Sequence, residues 1–240
     1  MSNTKKTEKS LSIFFPAYNE EANAKKSVEE AIQVAKKITN DYEVIVVDDG
    51  SSDRTAQIIN QLAKNNSHVV AVHHKKNQGY GGALITGIKK SCNDLIFFSD
   101  IDLQFNLGEL TKFIPYIDKY DVVIGYRNPR KDPFMRLANA WGWKTLINML
   151  FHLEVKDIDC AFKLFNHRVF DKIQVHSRGA MISAEMLIRI KRAGFSIKEL
   201  PVKHYPRVAG SPTGAKLSVI IKAFKDLMKV HRELKKESKK

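Results

Sequence analysis

The chain has only two cysteines, Cys92 and Cys160, and neither has a Cys or His partner at metal-ligand spacing. Two thiols cannot build a disulfide framework, so a small cross-linked scaffold is excluded. Both are read as reduced and buried or partly buried. No run of about 18 apolar residues occurs, which argues against a membrane-spanning helix. Residues Met1–Ser10 are polar and basic with no apolar segment behind them, so no secretory signal is expected. No Gly-Lys-Ser/Thr follows a glycine-rich loop, which excludes a Walker A phosphate loop. The lone histidines His73, His74, His152 and His176 lack zinc spacing and are given structural readings.

Hydrophobic residues make up 43% and charged residues 28% of the 240, which suits a globular α/β domain with at most a small appendage. Charge is unbalanced, with 40 Lys and Arg against 26 Asp and Glu and a net +14. From Lys216 to Lys240 there are nine Lys or Arg and three Asp or Glu, so +6 lies at the C-terminus. Such a surplus fits nucleic acid, an anionic membrane surface or phosphorylated substrates, or simply a solvated tail. Nucleic acid is not expected as a partner, because neither a recognised motif nor aromatics interleaved on a basic face accompany the charge.

Strand and helix patterns alternate through the N-terminal half. Short apolar strands are predicted at Leu11–Phe15, Glu43–Val47, His68–Val72, Leu95–Ser99 and Asp121–Gly125. Helices are predicted at Glu20–Ile38, Asp53–Leu62 and Ala83–Lys90. This order implies right-handed βαβ units and a mostly parallel sheet covered by helices. In the second half, helices are predicted at Pro133–Leu150 and Met181–Ala193. A turn into a short strand is predicted at Asp157–Phe165, an edge-like strand at Phe195–Val202 and a mobile loop at Val208–Gly214. Leu217–Val230 reads as a basic amphipathic helix.

Ligands of open parallel sheets bind beyond the carboxyl ends of the strands. Three polar clusters fall there: Pro16–Glu21, Asp48–Asp53 and Asp100–Gln104. In Asp100-Ile101-Asp102, residues i and i+2 leave a strand end on the same side, and two carboxylates can hold a hard cation through oxygen. Gln104 adds another oxygen. Asp49 can accept hydrogen bonds from a ribose or a base, while Asp53 or Ser52 can cap the next helix. Asn77-Gln78-Gly79-Tyr80-Gly81-Gly82 puts three glycines before a helix, either for a ligand's close approach or as a plain tight turn.

In this order, Phe15-Pro16-Ala17-Tyr18-Asn19-Glu20-Glu21, Val46-Val47-Asp48-Asp49-Gly50-Ser51, Asn77-Gln78-Gly79 and Ser99-Asp100-Ile101-Asp102-Leu103-Gln104 resemble the motifs of family 2 glycosyltransferases of GT-A fold. The Asp-x-Asp-Leu-Gln form is similar to that of polyprenyl-phosphate glycosyltransferases of the dolichol-phosphate mannose synthase type. The resemblance implies a GT-A domain over 11–214, a polar tail over 1–10 and a basic amphipathic helix and tail over 215–240. It implies that Pro16, Ala17, Tyr18, Glu20, Val47, Asp49, Gly79, Asp100, Ile101, Asp102 and Gln104 line the nucleotide sugar. Asp100, Asp102 and Gln104 would surround Mg²⁺ or Mn²⁺. Arg127, Arg136, Asn139 and Arg207 would face the acceptor phosphate. Asp159 is the choice for a general base, beside Asp102 as the second catalytic carboxylate. A phosphate monoester is already largely dianionic near neutral pH, so Asp159 has two other readings, orienting sugar hydroxyls or capping its turn. Glu185 is a further candidate base, with a salt bridge as its structural reading.

The implied reaction is metal-dependent, inverting transfer of a hexose of mannose or glucose type from a GDP- or UDP-sugar to a polyprenyl phosphate. The expected place is the cytoplasmic membrane face, with Leu217–Lys240 lying on anionic lipid. The alternative is a GT-A transferase with a soluble or glycan acceptor. A sugar nucleotidyltransferase is disfavoured, because Pro16–Glu21 is not a glycine-rich, arginine-containing loop.

Overall fold

The computed structural model describes residues 6–129, 134–206 and 217–237, of which 134–140, 217–224 and 237 as backbone only. The strands are β1 (Leu11–Ala17), β2 (Tyr42–Asp48), β3 (Val69–His73), β4 (Leu95–Ser99), β5 (Val122–Arg127), β6 (Phe162–Asn166) and β7 (Ile197–Val202). The helices are α1 (Ala24–Ile38), α2 (Thr55–Asn65), α3 (Tyr80–Lys90), α4 (Phe134–Phe151), α5 (Arg168–Lys172), α6 (Ile182–Arg192) and α7 (Leu217–Glu237). Two 3₁₀ turns, Leu107–Lys112 and Ile114–Tyr116, lie between β4 and β5.

The seven strands form one sheet in the order β3-β2-β1-β4-β6-β5-β7. The β1–β2, β2–β3, β1–β4 and β5–β7 pairs are parallel. β6 runs antiparallel to both of its neighbours. The predicted mostly parallel sheet is therefore correct, and β7 is an edge strand as expected. The reversal at β6 was not anticipated, because alternation of apolar residues carries no direction.

Every residue of β1 and β4 is buried, as continuous apolar strands covered on both faces require. Phe14, Phe97, Phe98, Phe162 and Phe165 are fully buried and run across the sheet. Phe97 and Phe162 meet edge-on with centroids 4.7 Å apart. α1 buries Val28, Ala31, Ile32 and Ala35, the face its spacing predicted. The strand order reverses between β1 and β4, and their carboxyl ends open the crevice in which such sheets take ligands.

α7 carries the predicted amphipathic pattern, but the part with described side chains turns its apolar stripe to protein. Leu227, Val230 and Leu234 are at most 3% exposed. Arg192 Nη2 donates to the Leu234 carbonyl, and Arg189 pairs with Glu233. From Leu227 onward this face is not available to lipid. The described part of the N-terminal segment is tied down rather than loose, with Thr7 N donating to Ile38 O and Ser10 N to Asp94. Cys160 is buried, as read, whereas Cys92 is exposed, a correction to the sequence reading. It sits at a helix-to-strand connection, where pattern does not fix burial. The two tryptophans separate, with Trp141 at 71% exposure and Trp143 packed against the core. The predicted loop Val208–Gly214 lies outside the described residues.

Candidate active site at the carboxyl ends of β1, β2 and β4

The ends of β1 and β2 are stitched together. Asn19 N donates to Ser51 Oγ at 2.9 Å, and Asn19 Oδ1 accepts from Ser52 N at 2.8 Å. Glu20 N donates to Thr55 Oγ1 and Glu21 N to Asp53 Oδ2. Asp53 also accepts from Thr55 N at 2.9 Å, so it organises the start of α2, in line with its capping reading. Pro16, Ala17 and Val47 are buried and form the floor of this edge, while Tyr18 stands out at 46% exposure.

Asp49 is 3% exposed and lies beneath the glycine-rich loop. Oδ1 accepts from Gln78 N at 2.8 Å, and Oδ2 accepts from Gly79 N at 2.8 Å. His74 Nδ1 lies 2.6 Å from Oδ1, and its Nε2 lies 2.9 Å from Thr86 Oγ1. Asp49 thus has an anchoring geometry toward the glycine-rich loop. The buried carboxylate collects two amide donors of the turn, and Asn77 Oδ1 also accepts from Gly79 N at 3.0 Å. Gly79 has φ +86°, a conformation L side chains rarely adopt.

At the end of β4, Asp100 is half-buried and Asp102 is 2% exposed. Asp100 Oδ1 accepts from the Tyr80 hydroxyl at 2.9 Å, and Asp102 Oδ1 accepts from Gln104 N at 3.1 Å. The Ile101 carbonyl accepts from Ser27 Oγ at 2.8 Å, which fixes the turn between the carboxylates to α1. Asp159 is exposed on the loop that precedes β6. Burial, then the negative charge of Asp100 with its hydrogen bond, then Asp102 and Asp159, push the Tyr80 phenol well above its ordinary value.

Gln104 reaches the C-terminal part of the chain. Its Nε2 donates to Tyr205 O at 3.0 Å, and Tyr205 N donates to Gln104 O at 2.8 Å. Phe105 and His204 form an antiparallel bridge. The His204–Pro206 segment is thereby held beside the Asp100–Gln104 turn, although the two are a hundred positions apart in sequence. Arg207 lies outside the described residues, as do the side chains of Arg136 and Asn139. Arg127 is described, and its guanidinium is taken by Asp157 in a bidentate pair, both side chains 6% exposed. The pair satisfies the buried guanidinium with an anion of the chain itself.

Glu185 takes its structural reading. The carboxylate is fully buried and accepts from His176 N, Ser177 N and Arg189 Nε. It holds the 176–178 turn against which the glycine-rich loop rests, since Gly81 N donates to Arg178 O at 3.0 Å.

Two residues that support this region carry no local signal. Tyr80 lies within the glycine motif, and its bond to Asp100 joins segments twenty positions apart. Lys163, in the middle of β6, is fully buried, and its Nζ donates to Ile158 O at 3.2 Å and to Cys160 O. It braces the loop that carries Asp159. Burial lowers its ammonium's pKa, while Cys160, Asp157, Asp159 and Asp100 act in the opposite sense. A lysine between Phe162 and Leu164 looks solvent-facing until β6 is seen to lie inside the sheet. Burial and the neighbouring Asp157 push the Cys160 thiol up to about 12, so it is inert.

Among the described residues, no group of three or more His, Cys, Asp or Glu side chains forms a ready-made cation site. Asp100 and Asp102 nevertheless suit a hard divalent ion. Mg²⁺ in particular is bound through one or two carboxylates, with substrate phosphates completing its shell.

Comparison with known proteins agrees with this geometry. The family model described as glycosyl transferase family 2 matches residues 12–174, well over half of the chain, and the chain belongs to that family. Its mixed sheet flanked by helices is the GT-A fold. Among curated proteins the chain is similar to the undecaprenyl-phosphate 4-deoxy-4-formamido-L-arabinose transferase of Proteus mirabilis. The two are 30% identical over 175 residues, covering 72% of this chain and 54% of that one. It is also similar to glycosyltransferase AglD of Haloferax volcanii, 27% identical over 211 residues that cover 82% and 33%. The chain thus spans about half, or less, of the length of these relatives. Among solved structures, glucosyl-3-phosphoglycerate synthase of Mycobacterium tuberculosis, in complex with Mn²⁺, UDP and glucosyl-3-phosphoglycerate, superposes with a TM-score of 0.73. The match is 16% identical and covers 93% of this chain and 80% of that one.

Proposed function

We propose that this chain transfers a hexose of mannose or glucose type, with inversion, from a GDP- or UDP-sugar to a polyprenyl phosphate. The observation that carries the reading is the placement of Asp100, bonded to the Tyr80 hydroxyl, and Asp102 at the end of β4, at the crevice between β1 and β4. The similarity to an undecaprenyl-phosphate transferase of Proteus mirabilis supports the acceptor class.

The Pro16–Glu20 edge and Tyr18 receive the nucleotide, and Asp49 shapes the Gln78–Gly79 turn beside it. Asp100 and Asp102, with Gln104 adjacent, would hold Mg²⁺ or Mn²⁺. When bound, that ion would neutralise charge on the departing diphosphate. The solved neighbour's complexes with Mn²⁺ and UDP, or with Mg²⁺ and UDP, support a cation of this class. An acceptor phosphate oxygen attacks the anomeric carbon as the bond to the diphosphate oxygen breaks on the opposite side. Asp159, exposed beside this point, takes a proton from the acceptor or fixes a sugar hydroxyl. Arg136, Asn139 and Arg207 remain assigned to the acceptor phosphate. Arg127 is replaced in that set by its structural pairing with Asp157. A peripheral position on the cytoplasmic membrane face goes with this acceptor, and exposed Trp141 and Met149 on α4 suit an interface.

One observation favours a soluble acceptor instead, namely the packing of the α7 stripe against protein rather than toward lipid. A single transfer assay separates the two. Purified protein is incubated with Mg²⁺ or Mn²⁺, a panel of radiolabelled nucleotide sugars and a short-chain polyprenyl phosphate in detergent. Label entering the organic phase with one donor establishes the lipid reading and identifies the sugar. Cation-dependent donor hydrolysis without lipid labelling overturns the acceptor and keeps the site.

A further inference from the structure

Tyr80 joins two parts of the site that come from different strands. It opens α3 within Gly79-Tyr80-Gly81-Gly82, and its hydroxyl donates to Asp100 Oδ1 at 2.9 Å. Tyr80 is 37% exposed, and its bond to Asp100 lies at the open edge of the site. A phenol hydroxyl is a neutral hydrogen-bond donor.

The backbone that carries Tyr80 is fixed on both sides. Gly79 N donates to Asp49 Oδ2 at 2.8 Å, and Gly81 N donates to Arg178 O at 3.0 Å. A Cβ at Gly81 would lie 2.3 Å from Ser177 O, so the turn is seated directly on the 177–178 backbone. The hydroxyl is therefore delivered from a rigid support and does not sit on a free loop.

A carboxylate at a strand end turns about its own χ2, and two neighbouring carboxylates repel each other. A neutral O–H donor opposes both tendencies without adding a positive charge that would compete with a cation. We propose that Tyr80 is a positioning residue for the cation. Its hydroxyl fixes the rotation of Asp100 and binds the glycine-rich turn to the Asp100–Asp102 pair, so that the two assemble as one unit. This inference rests on the cation reading above. Hydrogen-bonding partners of metal-ligating groups commonly set affinity by about 10- to 100-fold.

Tyr80→Phe keeps the ring and removes the donor. Free Mn²⁺ is followed by electron paramagnetic resonance while protein is titrated in, with UDP or GDP present and no sugar donor. Wild type and Asp102→Asn are run alongside. Mn²⁺ retained by wild type and lost from Asp102→Asn upholds the cation reading, and Tyr80→Phe then decides the inference alone. The expected result is affinity weakened by about 10-fold or more, with a metal-free melting temperature within about 4 °C of wild type. Turnover of Tyr80→Phe should return to near the wild-type value at saturating Mn²⁺, whereas a purely structural defect would depress it at every concentration. Tyr80→Met, which removes the hydroxyl on a flexible side chain, should show the same loss and serves if the phenylalanine variant does not fold. Unchanged or tighter Mn²⁺ binding by the folded variant overturns the inference and leaves the cation reading standing. If wild type itself retains no Mn²⁺ with either nucleotide, both fall.

Discussion

Arg127 and Asp157 form a closed bidentate pair, with Nε donating to Oδ2 at 2.7 Å and Nη2 to Oδ1 at 2.8 Å. The Arg127 amide donates to the same carboxylate. The pair ties the end of β5 to the loop that leads to Asp159. Removing one member leaves a buried charge without its counter-ion. Asp157→Ala is expected to cost about 3–5 kcal/mol, measured by urea denaturation. Wild-type stability combined with weakened acceptor use would return Arg127 to the acceptor site.

Asp49→Ala removes the acceptor of the Gln78 amide, one of two acceptors of the Gly79 amide, and the partner of His74. Hydrogen bonds to a charged group are worth about 1.5–3 kcal/mol, so the loop should loosen and nucleotide binding should weaken by roughly 10-fold or more. Calorimetric titration with UDP and GDP reads this directly. Nucleotide affinity equal to wild type, in a folded variant, would separate Asp49 from the donor site.

Asp102→Asn keeps volume and removes charge. Turnover at saturating Mg²⁺ or Mn²⁺ is expected to fall by about 100-fold or more, with the melting temperature little changed. Turnover within a factor of a few of wild type, estimated against the same scale, would take Asp102 out of the chemistry.

Gly87 on α3 faces the Phe14 ring, and a Cβ there would lie 2.2 Å from Phe14 Cδ2. Gly87→Ala should therefore overpack the contact of α3 with β1 and destabilise by about 1–3 kcal/mol. In a chain of this size that corresponds to a melting temperature lower by roughly 2–4 °C for each kcal/mol. An unchanged melting temperature would mean that the helix can shift away from β1 at no cost.

Glu185 gives a prediction on pH. Burial raises its pKa, but hydrogen bonds from Ser177 and Arg189, with the Arg189 charge, outweigh that and leave it lowered. A carboxylate lowered by folding contributes stability that is fully present above its unfolded value of about 4.3. That contribution is lost as pH falls through the lower folded value. Glu185→Gln should flatten this acid limb and leave the profile above about pH 5 parallel to that of wild type. An acid limb as steep as wild type in urea melts across pH would assign it to other carboxylates.

Sequence determined a large share of this protein. Period and composition located the parallel strands to within about two residues, most plainly β1 and β4, because a strand covered on both faces must be continuously apolar. The polar clusters at Pro16, Asp49 and Asp100 could be placed at one end of the sheet before any coordinate, because a parallel sheet puts all its carboxyl ends on one side. Which of those side chains face outward was a matter for tertiary structure alone. Asp49 turned beneath the glycine-rich loop, Arg127 closed on Asp157, and Glu185 was taken up by backbone amides, each because a buried charge must find its partner wherever the packing puts one. The reversed direction of β6, the burial of Lys163 within it, the bond from Tyr80 to Asp100 and the seating of Tyr205 on Gln104 join residues distant in sequence. No local pattern encodes such pairings, since they arise only when separately specified elements are brought together around a common core.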